Sequence, residues 1–140
     1  MKCIYCSAET RVINSRPQKR QNSIWRRRQC SDCAAVFTTS ENVDLSKSLV
    51  VLHGKTLQPF SRDKLYLSVN DSLKHRKTAT SDATSLTDTI ISHLDAYALS
   101  GSIKNIDIAQ TALLTLKRFD KAAATHYQAY HPHSEESVLR

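Results

Sequence analysis

The chain has 140 residues, of which 24% are charged, and its formal net charge is +7 at pH 7. This length predicts one domain or two small ones, and no apolar run approaches the roughly 20 residues of a membrane-spanning helix. With two glycines in the whole chain, the glycine-rich loops that cradle nucleotide phosphates in P-loop and Rossmann enzymes are excluded.

All four cysteines lie in the first quarter of the chain, in two C-x-x-C pairs, Cys3/Cys6 and Cys30/Cys33. Two such turns can bring four thiolates onto one tetrahedral zinc ion. Two disulfides would require an oxidising compartment, and the N-terminus carries no apolar signal region. A redox C-x-x-C would need one pair beside a βαβ pattern, which the sequence lacks. The spacing therefore predicts one structural zinc ion in a cytoplasmic protein.

The positive charge is concentrated between residues 11 and 28, where seven cations, six of them arginine, occur without an acid. They are Arg11, Arg16, Lys19, Arg20, Arg26, Arg27 and Arg28. A solvated loop is the simplest interpretation of such a block. However, the planar guanidinium matches phosphate oxygens and guanine edges better than an ammonium does. On a scaffold stiffened by metal, the block indicates a nucleic-acid surface.

Residues 1–41 have the pattern of a small β domain. Short β-type runs at 11–14, 23–26 and 36–39 predict three strands, with a polar loop at 16–22. A small antiparallel sheet that carries two cysteine knuckles is a zinc ribbon. Because successive side chains of a strand point to opposite faces, Arg26 and Arg28 are expected on one face of the sheet and Arg27 on the other.

The rest of the chain predicts a linker at 42–48, a mostly helical domain at 49–131 and a flexible tail at 132–140. The domain opens with a β-hairpin that turns at Gly54 and stops at Pro59, which has no N–H to donate. Ser61 is the predicted N-cap of the first helix, and residues 75–84 are predicted to be a loop.

Three further helices complete that domain. A capping-box pattern at Ser85 and Asp88 predicts the start of the second helix, with Gly101 closing it. Apolar spacing predicts a third helix ending near Phe119 and a fourth from Asp120 to Tyr130. The expected fold class is α+β: a small N-terminal β zinc ribbon followed by a mostly helical domain with an N-terminal β-hairpin.

With these residues assembled, the chain resembles the NrdR family, bacterial repressors of ribonucleotide reductase genes. The resemblance is densest in residues 1–41 and extends more loosely over the whole chain. It is carried by Cys3-x-x-Cys6, Asn14-Ser15-Arg16, Arg26-Arg27-Arg28-x-Cys30-x-x-Cys33, Phe37-Thr38-Thr39-x-Glu41, Pro59-Phe60, Asp63-Lys64-Leu65 and Phe119-Asp120-Lys121.

The resemblance implies a zinc ribbon that binds double-stranded operator DNA near ribonucleotide reductase genes. It also implies an ATP-cone domain that binds ATP or dATP and sets the state of a homo-oligomer, at least a dimer, without enzymatic activity or a membrane partner. The expected zinc ligands are Cys3, Cys6, Cys30 and Cys33. The expected DNA contacts are Arg16, Lys19, Arg20, Arg26, Arg27 and Arg28. The expected nucleotide contacts are His53, Lys55, Gln58, Lys64 and Tyr127.

Several departures from the family pattern bear on these expectations. Ser7 and Ala34 replace knuckle glycines that allow a positive φ, and Ile4 replaces a proline. Leu52 and His53 stand where the family has a Lys-Arg pair that meets nucleotide phosphates. Nucleotide binding is therefore expected to be weaker, because a lysine acts only as a point charge.

Alternatives to a nucleotide-regulated repressor remain. A zinc ribbon associated with RNA or the ribosome would use the same basic loop, but it needs no helical domain of this size. A divergent repressor could have lost nucleotide binding and retained only oligomerisation. A small nucleotide-handling enzyme would need a phosphate loop, a Ser/His/Asp set or a catalytic acidic pair, which the sequence lacks.

Overall fold

The computed structural model describes residues 1–94, 97, 98 and 100–131. The chain divides into two compact units, Met1–Val43 and Asp44–Arg140. The first contains only strands and turns, and the second is mostly helical with one small sheet. This confirms the predicted α+β fold class.

Three antiparallel strands form the first unit, in the order β1-β2-β3. They are β1 (Thr10–Gln18), β2 (Ser23–Cys30) and β3 (Val36–Asn42). The predicted loop at 16–22 is wrong over its first half, because β1 continues through Pro17 to Gln18. An edge strand tolerates proline since one of its sides has no partner. A 3-10 turn, Lys19–Gln21, makes the connection to β2.

A β-bulge interrupts the pairing of β1 with β2. Arg11 lies opposite Gln29 and Val12 opposite Arg28, but the next pair is Asn14 with Arg27. One residue of β1 is therefore unpaired. Because side chains alternate along a strand, the extra residue reverses which face the rest of β1 presents.

A second sheet opens the second unit, with strand order β5-β4-β6. After a one-turn helix, α1 (Leu45–Ser48), the hairpin consists of β4 (Val50–His53) and β5 (Thr56–Pro59). The predicted hairpin and its end at Pro59 are confirmed. β6 (Ser102–Lys104) pairs in parallel with β4. Neither α1 nor β6 was expected, since runs of three or four residues carry no readable period.

Four longer helices make up the rest of the second unit. They are α2 (Arg62–Ser72), α3 (Ala79–Leu94), α4 (Asn105–Phe119) and α5 (Lys121–Tyr130). The predicted cap on α2 is confirmed, because the Ser61 hydroxyl accepts from the Lys64 N–H at 3.3 Å. The helices close on a continuous apolar core whose most buried large side chains include Leu73, Ile90 and Leu116.

The predicted loop at 75–84 is wrong over residues 79–84, and the predicted capping box at Ser85 is wrong, because α3 begins at Ala79. Serine and threonine usually compete with helix by bonding nearby backbone groups. Here their hydroxyls donate to carbonyls one turn back, as Ser85 does to Ser81 at 3.2 Å. The predicted close at Gly101 is also wrong, since α3 ends at Leu94.

The predicted linker and tail have different outcomes. Asp44 caps α1 inside the predicted linker, its carboxylate accepting from the Ser46 N–H at 3.1 Å. The domain boundaries at 41 and 49 stay predictions, and the predicted tail 132–140 lies outside the described residues. No helix in the described part of the chain has the length and apolar character of a membrane span.

Candidate metal centre and nucleic-acid interface

The two cysteine knuckles have matching backbone geometry. The N–H of Cys3 donates to the carbonyl of Ala8 at 2.8 Å, and the N–H of Cys30 donates to that of Ala35 at 2.9 Å. Each turn also directs an N–H at the first sulfur of its pair, from Tyr5 to Cys3 and from Asp32 to Cys30, both at 3.4 Å. Such N–H groups stabilise a thiolate.

The effect on acidity is seen at Cys30. The backbone N–H groups of Cys33 and Asp32 lower the pKa of this thiol to about 7. Cys6 has the opposite shift: the Ala8 backbone lowers its pKa, but the Cys30 and Cys33 sulfurs beside it raise that pKa to about 12. Zinc binds the thiolate form of cysteine, so metal binding would release the remaining thiol protons.

The four sulfurs converge to the size of one metal ion. All Sγ atoms lie within 4.8 Å of one another. Individual separations are 3.4 Å for Cys6–Cys30, 3.5 Å for Cys6–Cys33 and 3.7 Å for Cys3–Cys33. A tetrahedral zinc with Zn–S bonds of about 2.3 Å would place its sulfurs about 3.8 Å apart. The residues therefore fit one structural Zn²⁺.

Ser7 and Ala34, which replace glycines of the family's cysteine knuckles, adopt the backbone conformation that glycine favours. Ser7 has φ of 62° and Ala34 has φ of 58°. Each directly follows the second cysteine of its pair. Both residues are therefore in the left-handed conformation, which costs a residue with a Cβ about 1–2 kcal/mol because the Cβ lies too close to the following carbonyl oxygen.

The predicted DNA arginines divide between the two faces of the ribbon sheet. Arg26 and Arg28 lie on the face that also carries Phe37 and Thr39, here called the Phe37 face. Arg26 forms an ion pair with Glu41 at 2.8 Å, and its Nε is buried without a hydrogen-bond partner among the described residues. The Nε of Arg28 donates to the Thr39 hydroxyl at 3.3 Å.

The other face, here called the Trp25 face, carries Trp25, Arg27, Arg16 and Arg11. Arg16 lies directly opposite Trp25, and the Arg11 guanidinium donates to the Gln29 side chain at 2.9 Å. Arg27 and Arg16 are exposed, and Trp25 is half-buried. Lys19 is exposed in the connecting 3-10 turn. The side chain of Arg20 lies outside what the structure describes.

Three predicted nucleotide contacts lie in the β4–β5 hairpin. His53 is paired with Thr56, and Gln58 with Val51. Alternation places His53 and Gln58 on the face that Val51 turns toward the core, while Leu52 points to the opposite side. Lys55 is exposed in the turn itself. This hairpin end therefore offers one permanent cation to a polyphosphate.

The other two predicted contacts lie on different helices, Lys64 on α2 and Tyr127 on α5. Lys64 and Ser68 are one turn apart on the same helix face. The Ser68 hydroxyl lies 2.8 Å from Nε2 of His131. The Tyr127 ring is 3% exposed and stacks on His131 at 4.2 Å between centroids. Burial raises the pKa of Tyr127 to about 12. A nucleotide contact by Tyr127 stays a prediction, and it would require the ring to leave the core.

Some site features had no readable signal in the sequence. The bulge on β1 determines which arginines share a face of the sheet, and no residue type in β1 predicts a bulge. Ser68 and His131 were not expected to meet, because they are 63 positions apart. Trp25 could have been noticed as the aromatic residue within the basic block, since aromatic side chains recur at nucleic-acid surfaces.

The fold and the cysteine site define a class: a zinc-ribbon protein with a separate α+β domain. The family model described as "Transcriptional repressor NrdR-like, N-terminal domain" matches residues 1–41. A protein named transcriptional repressor NrdR from Acetivibrio thermocellus is 34% identical over 91% of this chain and 84% of its own length. A protein of the same name from Sphingopyxis alaskensis is 35% identical over 88% and 79%. The chain belongs to the NrdR family.

Proposed function

We propose that this protein is a zinc-dependent, DNA-binding transcriptional repressor of ribonucleotide reductase genes, acting in the bacterial cytoplasm and without enzymatic activity. The observation that carries the proposal is the arginine-rich sheet fixed beside the cysteine site. Of the four ligands, Cys30 is the last residue of the strand that bears Arg26, Arg27 and Arg28, and Cys33 lies three residues beyond it. The metal would hold that strand rigid, so binding DNA would not require ordering a loop.

Each unit has its own role in this proposal. Residues 1–41 bind DNA through the basic residues of the sheet and of its connecting turn, and residues 42–48 link them to the second domain. Residues 49–131 bind nucleotide and associate with other copies. A dimer or larger assembly would present two ribbons to a palindromic operator.

Regulation by ATP and dATP would act through the second domain. Lys55 and Lys64 supply permanent positive charge, and His53 and Gln58 share one face of the hairpin. A ligand shifts an oligomer equilibrium only by its different affinities for the two states. A nucleotide that favours one assembly would therefore control how the ribbons are paired on DNA.

The DNA-binding proposal is tested with the zinc-loaded full chain and labelled duplexes. A duplex from upstream of ribonucleotide reductase genes should bind more tightly than a scrambled duplex of equal length. Affinity should fall steeply with salt, as expected when phosphate contacts release counterions. A matched RNA that binds as tightly as the duplex, or no preference between the two duplexes, would contradict a DNA-binding repressor.

The nucleotide proposal is tested by calorimetry with ATP and dATP, beside light scattering to follow assembly size. Binding should be modest, because a lysine acts on phosphate only as a point charge. Lys64→Ala should weaken it, whereas Lys74→Ala should not, since Lys74 already pairs with Asp71 at 2.8 Å. No heat at millimolar nucleotide, with one assembly throughout, would mean that the domain only oligomerises.

A further inference from the structure

The arginine-rich strand cannot present all its side chains to one partner. Arg27 points away from Arg26 and Arg28, because side chains alternate along the strand and the register pairs Arg28 with Phe37 but Arg27 with Asn14 and Thr38. On the Phe37 face, Arg26 reaches Glu41 and Arg28 reaches Thr39, both across the β2–β3 pairing. On the Trp25 face, Arg11 reaches Gln29 across the β1–β2 pairing. The two faces therefore differ in how much of their positive charge is already engaged.

The Phe37 face uses its arginines internally. The carboxylate of Glu41 offsets the charge of Arg26, whose side chain is 31% exposed. Its partly buried position and its contact with Glu41 are typical of a residue that braces a sheet. Arg28 is half-buried and donates to a threonine on the neighbouring strand.

The Trp25 face leaves its charge available. Among the described side chains, neither Arg16 nor Arg27 has a hydrogen bond or an ion pair, and the strands place no acid on this face. The bulge on β1 is responsible for the grouping. Arg11 and Arg16 are five residues apart and would fall on opposite faces of a regular strand, but the unpaired residue between them brings both to the face of Trp25.

The size and composition of this face suit duplex DNA. Four register steps separate Arg11 from Arg16, about 13 Å along the sheet, and three strands span about 10 Å. The major groove is about 12 Å wide and admits β-structure. The guanidinium groups can contact phosphates, and the half-buried indole between them can make an apolar contact to a sugar or base edge. In protein–DNA complexes, phosphate contacts position the protein and base contacts give it sequence specificity.

We propose that the Trp25 face is the surface that meets duplex DNA, with Trp25 as a contact residue and Arg11, Arg16 and Arg27 beside it, while Arg26 and Arg28 brace the ribbon. This assignment rests on the proposed DNA-binding function and deepens it. It predicts that neighbouring arginines of one strand have different roles, and that an aromatic side chain contributes to affinity.

The test compares Arg27→Ala with Arg28→Ala, because the two residues are adjacent on β2 but lie on opposite faces. Binding of the zinc-loaded full chain to labelled duplex is measured by anisotropy, and zinc content is measured for every variant. Arg27→Ala should weaken binding on the order of tenfold or more if it meets a base edge. If it meets phosphate, the slope of log affinity against log salt should shrink by about 1. Arg28→Ala should weaken binding less than about threefold.

Trp25 gives a second, independent readout because it is the only tryptophan in the chain. Its fluorescence in the wild-type protein and in Arg28→Ala should change in a saturable way when duplex is added. Trp25→Ala should weaken binding several-fold more than Trp25→Phe, since an aromatic ring preserves stacking area.

The outcomes separate the face assignment from the function. If the wild-type protein binds no duplex, or binds matched RNA equally well, both are overturned. If it binds duplex but Arg28→Ala costs as much as Arg27→Ala, with zinc retained and Trp25 fluorescence unchanged, the face assignment alone is wrong. Loss of binding by Arg27→Ala and Trp25→Ala, with zinc retained and Arg28→Ala near wild type, supports it.

Discussion

The two units of this protein differ in how much apolar side-chain surface they bury. In residues 1–43, Cys3, Ser23 and Cys30 are the buried residues among those whose burial is described. In residues 44–131, apolar side chains from four helices and the small sheet form one continuous core. A unit of about 40 residues is too small to stabilise itself by apolar burial. The comparison indicates that a metal replaces the core in the first unit, which frees its strands to carry charge.

Zinc removal is the strongest way to separate the units. A strong chelator should unfold residues 1–41, because structural zinc contributes about 10–16 kcal/mol in small zinc-binding peptides. The fluorescence of Trp25 reports on the ribbon, and far-UV circular dichroism reports mainly on α2 to α5. The fluorescence should change fully while the helical signal persists. Readdition of zinc is the control for reversibility, and equal loss of both signals would contradict independent units.

Core truncation should have the reverse selectivity. Leu116 is 0% exposed, so Leu116→Ala should destabilise the helical unit by about 2–5 kcal/mol. Leu114 lies two residues away on α4 and is 56% exposed, so Leu114→Ala should change stability by less than about 0.5 kcal/mol. Thermal melts followed at 222 nm measure the difference. Zinc content should be unchanged in both variants, and a loss of zinc with Leu116→Ala would show that the units fold together.

The stability of the helical unit should depend on acid pH through Asp120, which is a third difference between the two units. The Ala123 N–H, together with His75 and Arg76, holds the pKa of this carboxyl well below its usual range. A lowered folded-state pKa stabilises the fold above the ordinary aspartate pKa of about 3.9 and loses that contribution as pH falls further. Wild-type helical stability should therefore drop below about pH 4.

Asp120→Asn keeps a side chain that can cap α5 but removes the charge, so it should flatten that acid dependence and lower stability at pH 7. Asp71→Asn is the matched control, because Asp71 makes an exposed ion pair with Lys74. Unfolding in denaturant at pH 7, 5 and 3 measures both variants. The assignment of the acid loss to Asp120 fails if the two variants respond alike.

The sequence predicted the parts of each unit that depend on strong local signals. The cysteine spacing identified the metal site, and the apolar spacing of Ile108, Ala112 and Leu116 identified α4. What it missed depends on distant partners. Asp82 accepts from Arg76 at 2.8 Å and from Thr78 at 2.6 Å, contacts that accompany the earlier start of α3. β6 forms only because β4 is beside it.

The sites follow the same division. Metal ligands could be predicted because four cysteines at fixed spacing leave no other set to choose from. The grouping of the arginines on two faces depends on a single unpaired residue in β1. That residue leaves no mark on the composition or on the apolar periodicity of the sequence. The contact of Ser68 with His131 depends on α2 packing against α5. Long-range packing of this kind is set by the whole core rather than by any local pattern.

The smallest expected effect concerns the strained knuckles. Ala34 has φ of 58°, so Ala34→Gly should relieve about 1 kcal/mol of strain, partly offset by the greater freedom of glycine in the unfolded chain. Ala35 is the adjacent matched control. It lies outside the positive-φ residues, so Ala35→Gly should instead destabilise the ribbon by about 0.5–1 kcal/mol. Competition against a chelator with Trp25 fluorescence as the readout should show zinc held up to about fivefold more tightly by Ala34→Gly and more weakly by Ala35→Gly, since 1.4 kcal/mol corresponds to a factor of ten. Opposite signs at neighbouring alanines would show that backbone conformation, rather than lost contact area, sets the effect. If both substitutions weaken zinc binding alike, the left-handed conformation at Ala34 does not strain the knuckle.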